Sequence, residues 1–236
     1  FYADVERAFI GLESLNDSAS SIRRRGTGLL RVGAVGSITQ CVLPDAIRLF
    51  RQKFSDIPVV VNTGGSDVVA KWLATGVCDI GFCSLHTDLP GLHYERINTA
   101  HGAGIVPAAH PLAAKALLTP ADFHDENFIS LPAGSFNRAA IDRYFPDDAR
   151  ILSIETPYAT TICTMVSKSL GISIVNPVVP RALAIPDLRE IPFSEKVEFH
   201  SYAVTSDHHP VNTLARRMAE CVRETFTALD MPATPG

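Results

Sequence analysis

The chain has 236 residues, room for one large or two small domains, with 46% hydrophobic and 19% charged residues and no low-complexity tract, which excludes disordered and fibrous classes. Its net charge is −4 and no basic run is longer than Arg23-Arg24-Arg25, so this stretch has no phosphate-binding stripe and on its own should bind nucleic acid poorly. No apolar run approaches the roughly 18 residues of a membrane span and no basic-then-apolar signal opens the chain, so a cytoplasmic protein with no membrane partner is expected.

Residues 1–25 carry a heptad: Val5, Leu12 and Ala19 fall seven apart, with Ala8, Leu15 and Ile22 three residues on. This reads as the seam of a dimerisation helix; an amphipathic helix lying on its own domain is the alternative. The pattern stops at Arg23-Arg24-Arg25-Gly26, a basic C-terminus with a glycine cap. Phe1 opens inside this pattern without a Met, so an upstream segment is expected.

From Gly28 onward apolar runs alternate with helical spacing, as a sheet with crossover helices requires. The spacing predicts a strand over Leu29 to Val35, a polar turn over Gly36 to Gln40, and a helix over Cys41 to Phe54 with Pro44 in its first turn. A strand over Val59 to Val61, a helix over Ser66 to Thr75 and a strand over Cys78 to Cys83 follow. Residues 57–84 and 150–177 share one order, strand, polar turn, helix, Gly, strand, which points to two similar α/β lobes. Ala100 to Pro107 reads as a strand leading into the second lobe, Tyr202 to Thr205 as a short return strand, and Pro210 to Leu229 as a closing helix. Two crossings of this kind make a hinged clamshell. Residues 231–236 read as a flexible tail.

In α/β sheets ligands sit beyond the carboxyl ends of strands, where helix N-termini present free N–H groups. Glycines and hydroxyl residues recur at such places: Gly36 to Thr39, Gly64-Gly65-Ser66, Gly134-Ser135, and Pro157 to Thr161. These turns suit a carboxylate, although helix capping explains each one separately. His101 stands before the crossing strand and either faces the cleft or is a surface or hinge histidine.

Other chemistries lack support. Gly33 and Gly36 have no third glycine of a dinucleotide loop, no phosphate loop with Lys-Ser or Lys-Thr occurs, and no Ser sits in a Gly-x-Ser-x-Gly elbow. His208-His209 and Cys78 with Cys83 do not make a metal motif. The five cysteines, Cys41, Cys78, Cys83, Cys163 and Cys221, are odd in number among apolar neighbours and read as reduced, packed thiols. No enzyme, no cofactor and no metal are expected.

The order of these features resembles the LysR-type transcriptional regulators. The likeness is carried by Leu29-Arg31-Val32-Gly33, Leu43-Pro44 with Phe50, Gly76 before Cys78-Asp79-Ile80-Gly81-Phe82, His110-Pro111-Leu112, and Gly171 to Val175 with Pro177. The segments Glu6 to Leu12 and Ile174 to Pro177 look like the branch that senses basic amino acids and opines. The resemblance implies an α/β fold of two Rossmann-like lobes joined by a hinge, like a type II periplasmic binding protein. Residues 1–27 would be part of the linker helix, 28–104 and 205–230 lobe I, and 105–204 lobe II. It further implies a small carboxylate effector, such as nopaline, octopine or an amino-acid derivative, held between the lobes. Family contacts fall on Ser37, Thr39, Gly65, Ser66, Ser84, His86, Ser135, Tyr158 and Thr160, with His101 added from its position; Pro157 stands where relatives often have a hydroxyl. Homodimers and tetramers are implied, with DNA bound only through a missing N-terminal domain. Two rivals share the fold: a solute-binding protein of a transporter and a small dehydratase.

Overall fold

The computed structural model describes residues 28–85, 87, 89–145, 150–207 and 213–230. The heptad positions Val5, Ala8, Leu12, Leu15, Ala19 and Ile22 lie outside them, as do His86 and the tail at 231–236. The chain divides into two compact units, one reaching Ile97 and including Ser201–Thr225, the other comprising Asn98–His200 and the chain from Phe226.

The first unit is built on a five-stranded sheet in the order β2-β1-β3-β10-β4. Strand β1 (Leu30–Ala34) is buried at every residue but Arg31, the near-continuous apolar run of a strand covered on both faces. It runs parallel to β2 (Val59–Thr63) on one side and β3 (Ile80–Cys83) on the other, with Leu30 opposite Val59 and Val32 opposite Ile80. Strand β10 (Glu198–Ser206) joins β3 antiparallel, Ala203 opposite Phe82. Strand β4 (Leu92–His101) lies at the sheet edge. The short return strand expected at Tyr202 to Thr205 is thus the last part of a nine-residue strand.

The segment expected as a polar turn is a helix, α1 (Gly36–Cys41). Ile38 and Cys41, three apart, are both buried, and that apolar pair outweighs the absence of a side-chain cap. A break at Val42 separates it from α2 (Leu43–Arg51), which buries Leu43, Ala46 and Phe50 and accepts Pro44 in its first turn. Helix α3 (Ser66–Ala74) buries Val69, Ala70 and Leu73. It stops at Gly76, whose φ of 75° lets Gly76 N–H reach Leu73 O at 3.2 Å and Val77 N–H reach Trp72 O at 2.8 Å, the left-handed helix ending that glycine favours. Gly81 matters for a different reason: a Cβ there would sit 2.6 Å from Leu73 Cδ1, so only glycine lets α3 lie this close to β3. The closing helix of the chain is α7 (Thr213–Asp230).

The second unit holds a three-stranded sheet, β8-β5-β9, and a parallel pair, β6-β7. Strand β5 (Ala103–Pro107) is fully buried, antiparallel to β8 (Ser173–Val175) and to β9 (Leu188–Pro192), which places Gly104 opposite Ile174 and Ile191. Strand β6 (Asn127–Ser130) pairs with β7 (Ile151–Glu155). A parallel bridge between Phe128 and Ile172, with Ile172 N–H to Asn127 O at 2.8 Å and Ile129 N–H to Ile172 O at 2.9 Å, links β6 to the entrance of β8. The order is therefore β7-β6-β8-β5-β9, strand for strand the counterpart of the first sheet. Helices α4 (Phe136–Asp142), α5 (Ala159–Ser167) and α6 (Val178–Leu183) complete it. Its core includes Phe123, Phe128, Phe145 and Phe193, with ring centroids 5.6–6.3 Å apart, the edge-to-face and offset spacing aromatic clusters adopt.

Candidate functional site

Because β1, β2 and β3 are parallel, their carboxyl ends lie at one edge of the first unit's sheet, and the turns leaving them are neighbours. Gly64 N–H donates to Ala34 O at 3.1 Å and Val35 N–H to Phe82 O at 3.0 Å, tying the three strand ends together. On this base the hydroxyls pair across turns. Ser66 Oγ lies 3.4 Å from Ser84 Oγ and accepts from Ser84 N–H at 3.3 Å. Thr63 Oγ1 donates to Thr39 Oγ1 at 3.2 Å, and Thr39 Oγ1 to Ala34 O at 3.4 Å.

Helix α3 begins here with Gly65 as its N-cap, extended at φ −67°, ψ 163° and without a side-chain cap. Its first intrahelical bond is Val69 N–H to Gly65 O at 2.9 Å. The N–H groups of Ser66, Asp67 and Val68 precede that bond and are helix-terminal donors carrying positive partial charge. Asp67 brings a carboxylate to the same turn, so this helix end offers donors for an anion and a counter-charge for an ammonium. Ser66 is buried, and the Cys83 thiol points to its carbonyl at 3.8 Å. Burial pushes the Cys83 thiol up to about 12 and those of Cys41 and Cys78 to about 11. All five cysteines are buried and none forms a disulfide.

The second unit uses its polar residues otherwise. Ser135 is the N-cap of α4 and accepts from Arg138 N–H at 3.3 Å. The Arg138 guanidinium donates to Ser130 Oγ at 2.5 Å, Leu131 O at 3.1 Å and Asp142 Oδ2 at 2.6 Å. Asp142 also accepts from Arg150 at 2.7 Å, and the Arg150 guanidinium stacks 4.0 Å from the Phe145 ring centroid and 4.8 Å from that of Phe128. Tyr158, the N-cap of α5, makes no side-chain cap and is 55% exposed. Thr160 is half-buried and Thr164 Oγ1 donates to its carbonyl. His101, at the end of β4, is exposed.

Of the residues read from sequence, the structure thus brings Ser66 to Ser84 and sets Thr39 beside Thr63. Ser37 is half-buried on α1 and its hydroxyl has no hydrogen bond among the described residues. Sequence reasoning missed Thr63 and the Arg138-Asp142-Arg150 brace. The four-residue spacing of Arg138 and Asp142 was a usable signal; the partners Ser130 and Arg150 are non-local. Among the described residues no group of three or more His, Cys, Asp or Glu is placed to hold a metal ion, and no helix is long and apolar enough to cross a membrane.

Residues 23–227 match the family model described as the LysR substrate binding domain. The chain is 29% identical over 218 residues to the transcriptional activator protein LysR of Escherichia coli, covering 91% of this chain and 70% of that protein. It is 26% identical over 219 residues to the octopine catabolism/uptake operon regulatory protein OccR of Rhizobium meliloti, covering 92% and 72%. Among solved structures, the BenM effector binding domain with its effector benzoate superposes with a TM-score of 0.70 at 20% identity, covering 87% of this chain and 96% of that one.

Proposed function

The chain belongs to the family of LysR substrate-binding domains, and we propose that it senses a small amino-acid-derived carboxylate, of the basic amino-acid or opine class, to control transcription. The relatives it matches are transcriptional regulators, and the role of an effector-binding domain follows from that family. The observation that carries the effector class is the Ser66–Ser84 hydroxyl pair beside the uncapped start of α3. Backbone N–H groups and hydroxyls suit a carboxylate, and Asp67 suits an ammonium. The octopine regulator among the relatives supports the opine class. Ser37, Thr39 and Gly65 are proposed as further contacts of this turn set, and Ser135, Tyr158, Thr160 and His101 as contacts from the second unit's sequence.

Effector binding would act by favouring one packing of protomers over another, and can do so only by its difference in affinity for the two. Dimers and tetramers, DNA contact through a separate N-terminal domain, and the lobe limits 28–104 with 205–230 and 105–204 belong to the same proposal. So do a cytoplasmic location and the absence of catalysis.

Thermal unfolding against lysine, arginine, nopaline, octopine and aromatic acids tests this reading, with each compound assayed for chemical change. A ligand at about 100 times its dissociation constant adds roughly 2.7 kcal/mol. Stabilisation by an opine or basic amino acid recovered unchanged supports the proposal. Consumption of the compound overturns the sensor in favour of a dehydratase, and stabilisation by aromatic acids alone overturns the effector class. Replacing Ser37 with Trp should abolish the stabilisation without unfolding the protein.

A further inference from the structure

In the second unit the ladder of β6 and β7 continues one residue past Glu155. Thr156 N–H donates to Ser130 O at 2.9 Å, which fixes Thr156 at the carboxyl end of the strand pair. Thr156 is only 9% exposed, yet its hydroxyl has no hydrogen bond among the described residues, whereas those of Thr39, Thr63 and Ser66 all have partners. A hydroxyl buried to this degree without a partner costs stability, so Thr156 is held at a loss that a bound acceptor would remove. Its oxygen is not sealed from solvent, so a ligand can reach it.

Helix α5 starts two residues further on. Its N-cap Tyr158 supplies no side-chain cap, and the first intrahelical bond is Ile162 N–H to Tyr158 O at 3.0 Å. The N–H groups of Ala159, Thr160 and Thr161 precede that bond and carry the positive end of a nine-residue helix. The charges nearby set the kind of anion. Arg138 and Arg150 are committed to Asp142, and Glu155 is exposed, with Oε2 accepting from Ala133 N–H at 3.2 Å. Neutral donors beside a carboxylate tolerate one negative charge more readily than two, which favours a carboxylate over a phosphate dianion.

We propose that Thr156 and the start of α5 form a second carboxylate site, distinct from the Ser66 turn of the first unit. Joined to the effector reading above, on which this further step rests, it narrows the effector to a compound with two carboxylates. Octopine meets that requirement; arginine, with the same guanidinium body and one carboxylate, does not.

Propionate and its uncharged counterpart propionamide are titrated into the ¹⁵N-labelled chain while backbone amide shifts are followed. Propionate should move the amides of Ala159, Thr160 and Thr161 along saturable curves, and propionamide should not. Thr156→Val keeps the shape and removes the hydroxyl, so it should weaken this response about tenfold while leaving the thermal midpoint unchanged or higher. Octopine should bind the parent chain about tenfold more tightly than arginine, and Thr156→Val should abolish the difference. No saturable shift at residues 159–161 up to about 50 mM propionate, far above a millimolar dissociation constant, overturns the site. An equal response to propionamide, indifference to Thr156→Val, or a lowered midpoint that marks the hydroxyl as structural does so as well. Propionate shifts at 159–161 with equal binding of octopine and arginine uphold the site and overturn the two-carboxylate effector. The same shifts with no binding of any amino acid or opine uphold the site and overturn the effector reading itself.

Discussion

In the first unit the hydroxyl groups at the strand ends hydrogen-bond to one another across separate turns, whereas in the second Ser130 and Ser135 are absorbed into the framework. Ser66 meets Ser84, and Thr39 meets Thr63; Ser135 caps its own helix and Ser130 is held by Arg138. The two sheets have the same strand order, so the difference does not come from topology. It comes from what fills the space beside each sheet. Beside the Ser66 turn the first unit packs aliphatic residues and cysteines such as Val69, Leu73 and Cys83, which make few demands on nearby polar groups. The second packs phenylalanines around two buried arginines, Arg138 and Arg150, and a buried guanidinium must be given acceptors. Hydroxyls bonded to one another and to backbone, and not to a buried guanidinium, are the ones more easily given over to a ligand, which is why the first unit is the stronger candidate for recognition.

Thiol chemistry gives the largest expected contrast. With burial raising the Cys83 thiol to about 12, its thiolate population at neutral pH is roughly a thousandfold below that of an ordinary thiol. A thiol-reactive disulfide should therefore leave the native protein unlabelled and react with all five cysteines after unfolding. Rapid native labelling of Cys83 would mean that water reaches beneath the Ser66 turn, and the burial of Cys83 against Ser66 would not hold in solution. In the second unit the sharpest cut is Asp142→Ala, which leaves both Arg138 and Arg150 without their shared carboxylate. A fully buried ionic cluster loses about 3–5 kcal/mol when one partner is removed; with the Asp142 carboxylate 37% exposed the loss should be about 1.5–3 kcal/mol, readable in urea unfolding. A loss below about 1 kcal/mol would show the brace to be a surface ion pair, and the proposed division of labour between the units would lose its basis.

Ser66→Ala tests the other side of that division. The hydrogen bond to a charged ligand group is worth about 1.5–3 kcal/mol, so affinity for the stabilising amino acid or opine should fall roughly ten- to hundredfold. Stability should fall by only about 1 kcal/mol, for the acceptor lost to Ser84 N–H. An unchanged affinity would remove the first unit's turn from the site.

Much of this arrangement was legible where the signal is local. The apolar run of β1, the spacing of Leu43, Ala46 and Phe50, and the glycine ending of α3 announce themselves within a few residues. Strand β4 did not, because an edge strand is polar on much of its surface and its sequence, Leu-His-Tyr-Glu-Arg-Ile-Asn-Thr-Ala-His, shows neither a strict alternation nor a continuous apolar run. The sequence of α1 reads as a turn because the helix is short and uncapped, and only burial of Ile38 and Cys41 explains it. The turns at Ser37, Ser66 and Ser135 could be found as types but not told apart. Whether a serine faces a neighbour's hydroxyl or its own helix depends on sheet register and on residues such as Ser84 and Arg138. The register that sets Thr63 opposite Ala34, next to Thr39, is likewise a non-local fact.

The smallest effect is the most direct test of that ambiguity. Ser135 is the N-cap at a strand-to-helix turn of the second unit as Val35 is in the first, yet here the side chain accepts from Arg138 N–H. Ser135→Ala should cost about 1 kcal/mol, the usual worth of an N-cap, visible as a modest drop in thermal midpoint. Ser135→Asp should recover it, because a carboxylate caps as well and meets the positive end of α4. Effector affinity should be the same in Ser135→Ala as in the parent chain if capping is all this serine does. A loss of affinity that exceeds the loss of stability, and that aspartate fails to restore, would instead make Ser135 a ligand contact of the second unit.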